Sequence, residues 1–214
     1  MSEEVLLTSK NFSAPEGCDW EISSDIQGVN RNLVIQFSRI INEVVSRGPG
    51  NKEDLFEEAD IYVEYLDNLS EKDLVQVAGG VILILAEEVK NSQLEREEKE
   101  DLIYRYGSNY RWFFWQAGQL NKGGDDSQIK FLKARYPVVL KGAVESLVGA
   151  VNDKKDEGLI LDYGNLFRTT FRFLELSNHK ETVMQLRGEI EVREGMTELG
   201  LKMFDKMFEE RFED

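Results

Sequence analysis

The chain has 214 residues, 41% of them hydrophobic and 10% aromatic, and a net charge of −15. These proportions exclude a disordered chain and suffice for one domain with a buried core. The charge excludes broad adhesion to nucleic acid or to an anionic membrane surface.

Pro15, Pro49 and Pro137 are the only prolines, so long stretches are left free to be helical. Residues 1–23 read as a short irregular N-terminal arm. Pro15-Glu16-Gly17 marks a turn, and Leu6, Leu7, Phe12 and Trp20 are costly to leave in water. The arm is either poorly ordered or laid on a neighbouring subunit. Cys18 is the single cysteine, which excludes an internal disulfide and fits a reducing, cytoplasmic setting. Met-Ser-Glu-Glu at the start has neither the basic nor the apolar region of a secretory signal.

Residues 24–214 are expected to form a single all-α domain, a multi-helix bundle of about seven or eight helices. The first helix is predicted from about Ser24, with Gln27 as its capping-box partner and Leu33, Phe37, Ile40 and Val44 as its buried stripe. Arg47-Gly48-Pro49-Gly50-Asn51 ends it. A second, from about Lys52 to Asp67, buries Leu55, Ala59, Tyr62 and Leu66 beneath a densely acidic outer face. Ser70, with Asp73 three residues on, caps a third. Its uncharged run Leu74–Ala86 is too short to span a bilayer and belongs at the centre of the bundle. Val81–Leu85 also fits a buried strand, but Glu87, Glu88 and Lys90 carry a helical reading onward. Gly79-Gly80 weakens that helix unless another helix approaches closely.

Residues 95–101 are charged helix formers that lead into Tyr104–Trp115. Beyond them, Asn121–Asp126 is the strongest loop and the place for a hinge. A short helix follows Ser127, and another runs from Val138 to Val151. Asn152–Gly158 reads as a solvated loop, and a helix capped near Asp162 buries Leu166, Phe167, Thr170, Phe171 and Leu174. Two more helices are expected from Lys180 to Glu194 and from Met196 onward.

No catalytic signature is present. One Cys and one His, Cys18 and His179, give no zinc pattern, and neither a phosphate-binding nor a dinucleotide-binding loop appears. No metal, cofactor or enzymatic activity is therefore expected. The informative stretch is Tyr104–Trp115, with three of the seven tyrosines, two of the three tryptophans and two arginines. It opens the one cationic part of the chain: residues 102–142 hold 7 bases against 2 acids, whereas residues 1–101 hold 9 against 23. On a helix at roughly 100° per residue, Leu102, Tyr106, Tyr110, Phe113, Ala117 and Leu120 share a core stripe. The opposite face gathers Tyr104, Arg105, Ser108, Arg111, Trp112 and Trp115.

This second face is the candidate binding site: Tyr104, Arg105, Arg111, Trp112 and Trp115, extended by Lys122, Lys130, Lys133 and Arg135. Trp, Tyr and Arg dominate protein–protein hot spots, so the first expectation is a non-enzymatic assembly protein that binds itself or another protein. Head-to-tail contact with the acidic faces of another copy fits the charge pattern. The alternative is a nucleocapsid-like protein that stacks single-stranded nucleic acid on the same rings. A carboxylate-based enzyme is the third reading, because 41 acids make chance pairs inevitable.

Overall fold

The apolar spacing of each helix decides which face turns inward, and the two glycines of the most apolar helix decide how closely its neighbours approach. The computed structural model describes residues 22, 24, 26–47, 66, 68–111, 113–114, 138–147, 149–150 and 157–171. All regular structure among them is helical: α1 (Gly28–Arg47), α2 (Glu71–Asn91), α3 (Arg96–Arg111), α4 (138–147) and α5 (Glu157–Phe171). The expected helices at 52–67, after Ser127 and beyond Lys180 lie outside the described residues, apart from the buried Leu66. So do the hinge at 121–126 and the N-terminal arm except Ile22.

Helix α1 buries Leu33, Phe37, Ile40 and Val44, as their spacing predicts, and Val34, Ile41 and Val45 widen the stripe. Its start differs from the expectation. Ser24 lies in a turn, and the Gln27 amide donates to the Ser24 carbonyl at 3.1 Å instead of closing a capping box. The helix begins four residues later at Gly28, whose φ of 60° only glycine adopts without strain.

Helix α2 is capped as expected: the Asp73 N–H donates to Ser70 Oγ at 3.2 Å. The Ser70 hydroxyl in turn donates to the Asp73 carboxylate, and the Asn30 amide of α1 donates to it at 2.8 Å. The Ser70 and Asn30 hydrogen bonds favour the charged form and hold the Asp73 carboxyl below its ordinary value. A carboxyl with a lowered folded-state pKa contributes stability above its unfolded value and loses it as pH falls through the folded one. Asp73→Asn is therefore expected to lower the melting temperature at neutral pH. The difference from wild type should shrink as pH drops below the ordinary carboxylate range, and a pH series of melting curves checks this.

The segment 81–85 is helical, and burial reaches all round α2 from Val77 to Ile82. Both glycines are sites of close approach. A Cβ on Gly79 would lie 2.5 Å from the Gly142 carbonyl oxygen of α4, and one on Gly80 would lie 2.8 Å from a Val34 methyl of α1. Gly142 in turn sits against the Val75 carbonyl. Glycine on both sides lets the two backbones touch, which compensates the propensity lost in α2.

Residue pairs fix the helix directions. Asn30 meets Asp73 while Val34 meets Gly80, so α1 and α2 run parallel. Val75 meets Gly142 while Gly79 meets Ser146, so α4 shares that direction. Phe37 meets Phe113 while Asn42 meets Tyr106, so α3 runs antiparallel to them. Lys99 meets Asp162 while Gly107 meets Thr170, so α5 runs with α3. Helix α5 starts at Glu157, five residues before the expected cap at Asp162 and within the stretch read as a loop. Asp162 is an interior residue whose carboxylate lies 3.6 Å from Lys99 Nζ. No helix among the described residues is long and apolar enough to cross a membrane.

Candidate functional site

The candidate face belongs to α3, and its inner side explains how it is held. Leu102, Ile103, Tyr106, Gly107 and Tyr110 are buried. The two inward tyrosines have partners for their hydroxyls, as buried phenols require. Tyr106 donates to Asn42 Oδ1 at 2.8 Å, and Tyr110 donates to the Ala78 carbonyl at 3.0 Å. Burial pushes the Tyr110 phenol well above its ordinary value, so it stays a neutral donor. Gly107 lets the backbone approach Thr170 of α5; a Cβ there would lie 2.9 Å from the threonine hydroxyl.

After Arg111 the helix widens into a π-type turn at Phe113 and Phe114. Both rings are fully buried. Phe113 meets Phe37 edge-on at 5.5 Å, Phe114 lies 5.7 Å from the same ring, and Tyr110 lies 4.5 Å from Phe114. The expected stripe holds Phe113 but not Phe114, yet Phe114 follows Ile103, Gly107 and Tyr110 at spacings of four, three and four, so helical phase itself turns it inward.

Of the candidate site residues, Tyr104, Arg105 and Arg111 are described: Tyr104 is exposed, whereas Arg105 and Arg111 are half-buried. Trp112, Trp115, Lys122, Lys130, Lys133 and Arg135 lie outside the residues whose side chains are described. Tyr104 is 52% exposed, the most exposed of the large hydrophobic side chains described. Arg111 is half-buried; desolvation pushes its guanidinium below the ordinary value and the nearby Tyr104 phenol opposes that.

Arg105 plays a structural part that the sequence does not announce. Its Nη1 donates to the Val45 carbonyl of α1 at 2.8 Å. That carbonyl is among the last four of α1, which have no partner within their own helix. Its Nε lies 3.0 Å from Asp101 Oδ2, an ion pair whose N–H is not aligned as a hydrogen bond. Arg105 thus tethers α3 to the end of α1, with Asp101 beside it.

Two acidic residues of the face were not singled out in the sequence, although their spacing pointed to them. Glu97 is exposed seven residues before Tyr104, and Asp101 is exposed three before it. At about 100° per residue, Glu97, Tyr104 and Arg111 form a nearly axial line. The outer face of α3 is therefore acidic in its first half and aromatic and cationic in its second, not cationic throughout.

Among the described residues, fold and site define a helical bundle with an outward aromatic and charged face on α3. Comparison with protein-family models, curated proteins and solved structures finds no match to this chain.

Proposed function

We propose that this is a non-enzymatic assembly protein that docks on itself or on another protein through the outer face of α3. The carrying observation is the exposure of Tyr104, while Tyr106 and Tyr110 of the same helix are buried and hydrogen-bonded inside. A half-exposed ring beside an arginine has the composition of a hot spot. The charges nearby favour a protein partner over nucleic acid. A phosphate backbone on this part of the helix would meet the exposed Glu97, Glu100 and Asp101, and Arg105 is already engaged with Val45 and Asp101.

Tyr104→Ala is expected to leave thermal stability within about 0.5 kcal/mol of wild type, as for most surface changes, and to weaken association by about 2 kcal/mol. Light scattering across a concentration series, beside a melting curve, measures both. Unchanged association in a folded variant would refute the site. Co-purified nucleic acid, released by salt and lost in an Arg111→Glu variant, would favour the coating reading instead.

A further inference from the structure

Along the outer face of α3, the order of groups is as informative as their kinds. Glu97, Tyr104 and Arg111 stand seven residues apart, roughly 10.5 Å between neighbours along the axis. The acid lies as far to one side of the exposed ring as the base lies to the other. Such a line is its own complement when turned end for end.

We infer that a second copy of this chain docks on this face, α3 against α3 and antiparallel, about a two-fold axis through Tyr104. The two Tyr104 rings meet at the centre, and Glu97 of each copy pairs with Arg111 of the other. This rests on the proposed reading of the face and sharpens it. A head-to-tail contact, as the chain's charge distribution suggests, would propagate from copy to copy. Here the acidic complement sits on the same helix as the base, so the contact is isologous and closes at a dimer.

The charge order also has an explanation within one chain. Acids in the first turn and a base in the last complement the helix macrodipole, and α3 has Glu97 and Glu98 at its start and Arg111 at its end. That explanation does not account for the exposed Tyr104 midway between them. It also predicts a different response to charge reversal, and this makes the two separable.

A single pair of helices roughly 24 Å long is a small interface, so association is expected in the micromolar range. Light scattering or sedimentation from about 1 to 300 µM covers it. Wild type should move from one chain mass to twice that mass and no further. Glu97→Arg and Arg111→Glu should each raise the dimer dissociation constant at least about tenfold, because each places like charges together twice across the axis. The double variant, Glu97→Arg with Arg111→Glu, should return to within about threefold of wild type. Charge–macrodipole complementarity alone predicts the reverse, since the double variant opposes the dipole at both ends and would be the least stable of the set by thermal melting.

A wild type that stays monomeric at the highest concentration, or that grows past a dimer, overturns the inference. A double variant no better than the singles also overturns it. If Tyr104→Ala abolishes association but the charge exchange does not restore it, the face remains the contact site and only the two-fold arrangement falls. If wild type associates and neither Tyr104→Ala nor either charge reversal changes it, the face and the inference fall together.

Discussion

Gly142→Ala is expected to destabilise the protein by about 2–3 kcal/mol, although alanine is the better helix former by about 1 kcal/mol. The reason is what the added methyl meets. A Cβ on Gly142 would sit against the Val75 carbonyl oxygen and lie 3.1 Å from Val75 Cα, and these backbone atoms cannot rotate aside. Relief requires α2 and α4 to separate, which loosens every contact along their crossing. Gly79→Ala should behave similarly, since its Cβ would lie 2.5 Å from the Gly142 carbonyl oxygen. Gly80→Ala should cost less, because its obstacles are the Val34 methyls and Ile26 Cδ1, at 2.8–3.2 Å, which are side-chain ends.

Gly149 supplies the control. It is helical and nothing lies within 4 Å of its would-be Cβ, so Gly149→Ala should stabilise by about 0.5–1 kcal/mol. The check is urea unfolding of the Gly142 and Gly149 variants, with midpoints expected to move in opposite directions. In melting temperature, the Gly142 loss corresponds to roughly 5–10 °C for a chain of this size. Equal gains from both substitutions would show that α2 and α4 do not touch as described.

The features legible in the sequence are those set by local periodicity. Leu33, Phe37, Ile40 and Val44 identify the inner face of α1, and Leu102, Tyr106, Tyr110 and Phe113 that of α3, because helical phase alone separates them from their neighbours. The same phase separates the exposed Tyr104 from the buried Tyr106 and Tyr110. The Gly79-Gly80 pair was readable as a demand for close approach, but not the identity of the approaching helix. The features that were not legible depend mainly on tertiary partners. Arg105 sends its Nη1 to Val45, 60 residues away in sequence, and no local pattern marks that contact. Asp162 resembles an N-cap ahead of an apolar run, yet it is held inside α5 beside Lys99. Phe114 lies outside the narrow stripe through Phe113, but it continues the line of Ile103, Gly107 and Tyr110, so the inner face of α3 is broader than that stripe. For the candidate site, phase identified the outward ring, and a tertiary contact engages Arg105 with Val45.

Phe37→Ala is expected to have the largest effect of all, a loss of about 3–5 kcal/mol. Phe37 has no exposed surface and lies against Phe113 edge-on at 5.5 Å and against Phe114 at 5.7 Å. Truncation removes the transfer energy of a whole ring and both aromatic contacts, and it leaves a cavity beneath the π-type turn. Phe37→Leu keeps much of the volume and should cost distinctly less than the alanine change. A double-mutant cycle with Phe114→Ala separates the ring–ring contact from burial, and coupling of about 0.5–1.5 kcal/mol is expected between the two positions. Additive losses would mean that the rings share a core without interacting directly. The cycle also tests the support of the candidate face, because Phe37, Phe113 and Phe114 lock α3 and its π-type turn onto α1. If that lock orients Tyr104, Phe37→Leu should weaken self-association along with stability, whereas Gly149→Ala, whose position has no described contact with α3, should leave association unchanged.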